Sequence, residues 1–94
     1  MSKEAYRQRA EAKIEEYQAK LNEARAKAKG ATAGARLEAE KHIADLERKL
    51  DSGKKRLREI GDAAEDAWED LAKSLDDVWD GVSGGIKNVL ARFK

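Results

Sequence analysis

The chain has 94 residues, of which 41% are charged, and its 20 Lys+Arg and 19 Asp+Glu leave a formal net charge of +1. This length allows one domain. The absence of cysteine excludes disulfides and thiolate metal sites, and the absence of proline favours uninterrupted helix. A balanced Ala/Glu/Lys/Leu/Arg mixture of this kind is typical of coiled coils and long helices.

The charges are unevenly distributed along the chain. Residues 1–61 hold sixteen basic and eleven acidic side chains, whereas residues 62–85 hold eight acidic side chains and one lysine. This pattern favours contact between the two halves, within one chain or between copies, and is unlike the concentrated basic face of a nucleic-acid binder. The polar segment Met1–Arg9 shows no signal peptide, and no apolar run approaches the ~20 residues that span a bilayer. We therefore expect a cytoplasmic protein without a nucleic-acid partner.

The first predicted element is a helix over Ser2–Lys29, which Ser2 caps. Apolar residues recur there at three- and four-residue spacing, namely Tyr6, Ala10, Ile14, Tyr17, Leu21, Ala24 and Ala28. The segment Gly30–Gly34 follows. Each of its glycines costs a helix roughly 1 kcal/mol relative to alanine, but Ala31 and Ala35 keep the apolar stripe in phase. We interpret it as a thin section of continuous helix, with a break as the alternative.

The next predicted feature is a chain reversal at Asp51–Lys54. The helical pattern resumes over Leu37–Leu50, and Ser52-Gly53 is a turn dipeptide. Asp62 and Glu65 have capping-box spacing and mark a further candidate boundary beside Gly61. The sequence leaves open whether the chain reverses at 51–54, at Gly30–Gly34, at Gly61 or not at all.

The strongest pattern is an eleven-residue repeat over Ala67–Phe93, in which Trp68, Trp79 and Leu90 occupy equivalent positions. Eleven residues make almost three helical turns, so equivalent positions return to one side of a helix. The result is a wide apolar stripe that must be buried. Leu57 and Ile60 carry the same register further towards the N-terminus.

These elements predict an all-α fold for a single domain over residues 1–94. It is an antiparallel, coiled-coil-like two-helix hairpin with a helix at about 3–50, a turn at about 51–54 and a helix at about 55–93. Residues whose numbers sum to 107 would then face each other, which places Trp68 opposite Ala39 and Trp79 opposite Ala28. Two helices cannot cover so wide a stripe, so we expect hairpins to assemble into a bundle or a larger oligomer. The predicted interface comprises Ile14, Tyr17, Leu21, Leu57, Ile60, Trp68, Leu71, Leu75, Val78, Trp79, Val82, Ile86, Leu90 and Phe93.

No residue pattern indicates catalysis, a metal site or a cofactor. His42 is the only histidine, and Glu38 one turn away supplies no second ligand set. Consecutive carboxylates such as Asp76 and Asp77 diverge by about 100° on a helix and do not converge on one ion. The glycines match no phosphate-binding loop. We therefore predict a non-enzymatic protein whose partner is itself, or a partner helix.

A lipid surface is the alternative partner. Eleven-residue amphipathic repeats with tryptophan on the apolar side are typical of interfacial helices, which fold on membranes. Trp68, Trp79 and Phe93 would insert. The acidic block between Asp62 and Asp80 opposes this, because it would face anionic headgroups.

Three segments of the chain resemble a family. The opening Met1-Ser2-Lys3-Glu4-Ala5-Tyr6, the stretch Gly61-Asp62-Ala63-Ala64-Glu65-Asp66-Ala67-Trp68-Glu69-Asp70-Leu71 and the later Val78-Trp79 are similar to short bacterial coiled-coil domain-containing proteins of mostly unknown function. Some of these proteins are labelled stress-response proteins. Lys27–Arg36 also looks like the eleven-residue repeats of late-embryogenesis-abundant proteins. The resemblance brings no catalytic residues and implies a stress-related, self-associating helical protein. The rival class is a membrane-surface or desiccation-protective helix that is disordered alone and folds on lipid.

Overall fold

Three α-helices make up the fold in a computed structural model that describes residues 1–93. They are α1 (Lys3–Lys29), α2 (Ala33–Asp62) and α3 (Trp68–Ala91). No strand occurs among the described residues. The helices pack side by side in a rod measuring 50 × 17 × 16 Å between Cα positions. The all-helical class predicted from the sequence is confirmed.

Local signals explain where α1 begins and ends. The Ser2 hydroxyl accepts a hydrogen bond from the Ala5 N–H at 3.1 Å, which satisfies one of the unpaired donors of the first turn. Lys27 and Lys29 lie in the last turn, where positive charge interacts favourably with the helix dipole. Gly30 follows, and its N–H donates to the Lys27 carbonyl. The predicted cap at Ser2 is therefore present.

The directions of the helices follow from contacts between them. Tyr6 packs on Trp68 and Tyr17 packs on Trp79, each with ring centroids 5.8 Å apart, so α1 and α3 run parallel. α2 runs antiparallel to both. Arg25 of α1 pairs with Glu47, and Arg92, just after α3, pairs with Glu38. The chain therefore runs up, down and up along the rod.

The predicted hairpin is wrong in the position of its reversal. Residues 51–54 lie inside α2, and the chain instead turns at Gly30–Thr32 and again at Ala63–Ala67. Both places were candidate boundaries in the sequence. A Ser-Gly pair is compatible with helix when packing favours it, and Gly53 is buried against Trp79. The predicted pairing of residues whose numbers sum to 107 is therefore also wrong. Trp79 lies beside Tyr17 and Gly53 and not opposite Ala28.

The core runs along the axis of the rod and takes residues from all three helices. α1 contributes mostly alanine, whereas α2 and α3 contribute most of the large aliphatic side chains. A third helix of the same chain thereby covers the stripe that two helices would leave open. The buried apolar residues are Ala10, Tyr17, Leu21, Ala24, Ala28, Ala39, Ile43, Leu46, Leu50, Leu57, Ile60, Trp68, Ala72, Leu75, Trp79, Val82, Ile86 and Val89. Within residues 1–93, no helix has both the length and the apolar character needed to cross a membrane.

Candidate interaction surface

The residues predicted as an interface all face the inside of this one chain. Nine of the fourteen are buried, and five are half-buried and pack against the core, namely Ile14, Leu71, Val78, Leu90 and Phe93. Trp68 is 5% exposed and Trp79 is 2% exposed. The stripe is therefore covered within the chain, and its burial needs no neighbouring copy. Any interaction surface of the folded chain therefore consists of residues that face outwards.

Hydrogen bonds of the Tyr6 hydroxyl join α1 to α3 beside the Tyr6–Trp68 pair. The Tyr6 hydroxyl donates hydrogen bonds to the Asp76 carboxylate at 2.8 Å and to the Ala72 carbonyl at 3.0 Å. Burial, followed by the hydrogen bond to Asp76 and its negative charge, raises the pKa of Tyr6 well above its usual range. The phenol is therefore neutral at physiological pH and acts as a donor.

Replacing Tyr6 with phenylalanine should lower the free energy of unfolding by about 1 kcal/mol at pH 7, because two hydrogen bonds are lost. The folded-state pKa lies above the unfolded-state value of ~10, so the contribution is fully present below pH ~10. Above pH ~10 the unfolded chain ionises while the folded phenol stays protonated, so the contribution shrinks as pH rises from ~10 towards the folded-state pKa. Urea denaturation of both proteins between pH 7 and 11 should therefore show the stability difference shrinking at high pH. A difference that stays constant up to pH 11 would contradict this assignment.

Other contacts hold α1 in place at both ends. Lys3 Nζ donates to the Ala63 carbonyl at 2.8 Å, which ties the start of α1 to the α2–α3 connection. Near the opposite end, Arg25 forms an ion pair with Glu47 of α2, and this hydrogen bond raises the pKa of the guanidinium. These contacts position the helices but leave most of the outer charges uninvolved.

The outward-facing charges are least balanced in the acidic block of residues 62–80. This block spans the α2–α3 connection and the first half of α3. It holds eight acidic side chains and one lysine, Lys73. All eight acidic residues are exposed. Every ion pair found within residues 1–93 takes its carboxylate from α1 or from α2 before Asp62. The acidic block therefore lacks an ion-pair partner in the described part of the chain.

Basic side chains are concentrated on the other two helices. Residues 1–61 carry sixteen basic against eleven acidic side chains. Lys49 and Arg56 face α3 across a shallow groove that also contains Ser52, Ser74, Asp77, Val78 and Gly81. The bundle thus presents an acidic face on α3 and net positive charge on two other parts of its surface. These are α1, with eight basic and five acidic side chains, and residues 48–58 of α2, with six basic side chains and one acidic one.

The described part of the chain contains no cluster of side chains suited to hold a metal ion. His42 Nε2 lies 4.0 Å from a Glu38 carboxylate oxygen on the exposed side of α2. Among residues 1–93, no group of three or more His, Asp or Glu side chains could hold a metal ion.

The sequence contained a signal for the aromatic pairs. Tyr6 and Tyr17 are eleven residues apart, as are Trp68 and Trp79. This shared interval indicates that two parallel helices can pair both aromatics at once, and the aromatic contacts observed between α1 and α3 are these two pairs. Asp76 is a partner that spacing alone could not have shown.

Comparison of the chain with family models, curated proteins and solved structures finds no match.

Proposed function

We propose that this chain is a non-enzymatic helical protein whose activity is association with copies of itself, in a structural or stress-related assembly. The observation that carries the proposal is the acidic block of residues 62–80, whose eight exposed carboxylates have no ion-pair partner in the described part of the chain. A second copy brings net positive charge on α1 and on residues 48–58 of α2. The acidic face of one copy and the basic surface of another are therefore complementary.

Several charges must act together for this contact to be stable. A single exposed ion pair contributes only about 0–1 kcal/mol, whereas complementary faces steer association and fix its orientation. A specific interface buries roughly 800 Å² on each partner, which favours contact along the 50 Å side of the rod over contact at its narrow ends. Because the two faces differ, the contact is head-to-tail and generates rings or open chains.

We expect the assembly to respond strongly to salt. Raising sodium chloride from about 0.01 M to about 1 M shortens the screening length from ~30 Å to ~3 Å, so the association should weaken sharply. Light scattering and sedimentation at micromolar concentration measure the mass directly. A protein that stays monomeric at the lower salt concentration would contradict the proposal.

Variants with reversed charges test which surface mediates the association. The variant Asp70→Lys/Asp77→Lys should dissociate into monomers at low salt, because it places lysines in the acidic block. The matched control Glu15→Lys/Glu59→Lys changes the net charge by the same amount at exposed positions outside the block. Equal loss of association in both variants would show that net charge, and not the acidic face, is responsible.

Membrane-surface binding is the second candidate, and the apolar face of α3 favours it because that face carries both tryptophans. These side chains point into the bundle, so the helices would have to separate before they could insert. Circular dichroism with and without anionic vesicles distinguishes the candidates. High helicity without lipid supports the assembly, whereas coil that becomes helical only with vesicles supports the membrane.

A further inference from the structure

We infer that the α1–α2 connection is a hinge through which two copies of this chain exchange α1, and that the exchanged dimer joins α1 and α2 in one helix from Lys3 to Asp62. The inference deepens the self-association proposed above, on which it rests, by naming the segment that passes between copies.

The connection differs little from a helix. It consists of three residues, Gly30, Ala31 and Thr32. Gly30, with φ −87° and ψ −2°, already lies in the right-handed helical region, and the Ala31 N–H still donates to the Ala28 carbonyl at 3.1 Å. Thr32 has a helical φ of −60°, and its ψ of 157° is extended. A rotation of ψ at Thr32 towards about −40° therefore removes a main departure from continuous helix.

The turn makes few hydrogen bonds that a continuous helix would lack. The Thr32 side chain makes no capping hydrogen bond to α2. The last carbonyls of α1 and the first N–H groups of α2 lack regular helical partners in the turn, and a continuous helix would pair them with each other. The apolar stripe also stays in phase from Ala28 through Ala31 and Ala35 to Ala39.

α1 is suited to exchange because its contacts can be made identically by a second copy. These contacts are the two aromatic pairs, the hydrogen bonds of Lys3 and Tyr6, and the Arg25–Glu47 ion pair. Exchange preserves all of them and changes only which chain supplies α1. Three of the five buried residues of α1 are alanine, and the others, Tyr17 and Leu21, are buried again when α1 packs on the second copy.

A second observation comes from Leu37, which is 57% exposed beside the hinge. Contacts between α1 and α2 join residues whose numbers sum to 66 for Lys3 and Ala63, to 68 for Arg7 and Gly61, and to 72 for Arg25 and Glu47. In the exchanged dimer this register places the two-fold axis between residues 33 and 36. Both copies of Leu37 then lie within four residues of the axis, where the second long helix runs alongside and reduces their exposure.

Two hinge variants test the exchange in opposite directions. Thr32→Pro fits the observed φ but removes an N–H and clashes inside a continuous helix, so it should lower the ratio of dimer to monomer by roughly a hundredfold. Gly30→Ala/Thr32→Ala should raise it by roughly fivefold per chain or more, since alanine favours helix. A methyl group at Gly30 meets only the Lys27 carbonyl, at an ordinary 3.7 Å. Light scattering gives the ratio after refolding at high protein concentration.

Leu37→Glu is the second test, and it does not depend on whether the proline variant folds. Because Leu37 is exposed in the monomer, this variant should keep the monomer's helicity and thermal stability while lowering the dimer fraction at least several-fold. Small-angle scattering should show a wild-type dimer containing a helix of about 90 Å, longer than the 50 Å monomer.

A cross-link identifies the exchange itself. The chain has no cysteine, so one batch carrying Arg25→Cys and another carrying Glu47→Cys can be unfolded together, refolded and oxidised. Disulfide-linked dimers between the two batches are expected, because α1 of one copy then lies on α2 of the other. Their absence in a sample that light scattering shows to be dimeric would overturn the exchange.

The outcomes separate the two proposals. Salt-sensitive association that Thr32→Pro leaves unchanged overturns the exchange and supports the charged-face assembly. A salt-resistant dimer that Gly30→Ala/Thr32→Ala strengthens and Leu37→Glu weakens supports the exchange, even where charge reversal has no effect. Monomers in every variant and at every salt concentration overturn both.

Discussion

Replacement of Trp79 by alanine is expected to lower the free energy of unfolding by about 3–5 kcal/mol, the range for deleting a large aromatic side chain from a packed core. The indole is 2% exposed, packs on Tyr17 with ring centroids 5.8 Å apart and lies against Gly53 of α2. It therefore contacts both other helices. Denaturation followed by circular dichroism measures the loss, which is large against the 5–15 kcal/mol of a typical domain.

Two further variants show whether the loss comes from the core position. Trp79→Phe should cost clearly less than the alanine variant, because it keeps much of the ring and removes an indole N–H that has no hydrogen-bond partner within residues 1–93. Leu37→Ala, at an exposed position, should change stability by less than about 0.5 kcal/mol. A cost below about 1 kcal/mol for Trp79→Ala would mean that the indole is not part of the core.

Gly53→Ala should destabilise the protein by up to about 2 kcal/mol, although alanine normally stabilises a helix interior. A methyl group at Gly53 would lie 2.7 Å from Trp79 Cη2 and Cζ3, and the rigid indole ring cannot bend away. Overpacking of this kind costs typically 1–3 kcal/mol, which exceeds the ~1 kcal/mol gained from helix propensity.

Gly84→Ala is the matched control, because a methyl group there meets nothing within 4 Å. It should stabilise α3 by up to about 1 kcal/mol, so the two alanine variants should differ by about 1–3 kcal/mol, the cost of overpacking. In the double variant Gly53→Ala/Trp79→Phe, the smaller ring should recover part of the loss, since the two residues are in contact. Equal stabilisation by both alanines would show that Gly53 is not needed for the approach of Trp79.

The composition of the core could be predicted from the sequence because helical periodicity survives any arrangement of the helices. The residues of the eleven-residue stripe, from Leu57 to Phe93, are buried or half-buried inside the bundle. Periodicity reports which side of a helix is apolar, and that side faces inwards in a two-helix or a three-helix packing. It does not report how many helices share the core.

The positions of the turns could not be predicted because the local signals conflicted with the packing. Gly53 lies in a dipeptide typical of turns, but its missing side chain gives room to Trp79, a contact some 26 positions away in sequence. The true first turn at Gly30–Thr32 preserves the phase of the stripe, so the pattern shows no interruption there. At the second turn, the capping-box spacing of Asp62 and Glu65 marked the right region, although α2 ends at Asp62 and α3 begins at Trp68 without a side-chain cap.

The candidate surface was visible in the sequence only as charge. The acidic block of residues 62–80 can be read directly from the chain, whereas its lack of ion-pair partners depends on where the other helices lie. Tyr6 illustrates the limit, because its hydrogen bond to Asp76 joins residues 70 positions apart. Long-range contacts of this kind follow from the parallel arrangement of α1 and α3, which the two-helix prediction did not contain.

The parallel course of α1 and α3 has a mechanical consequence. Lys3 and Ala91 lie at opposite ends of the rod, because an odd number of alternating helices separates the first residue from the last. Tension applied between these two residues acts along the helix axes and loads the contacts between helices in shear, all at the same time. A hairpin, whose ends lie together, would instead be peeled apart one contact after another, so the bundle should withstand a higher pulling force.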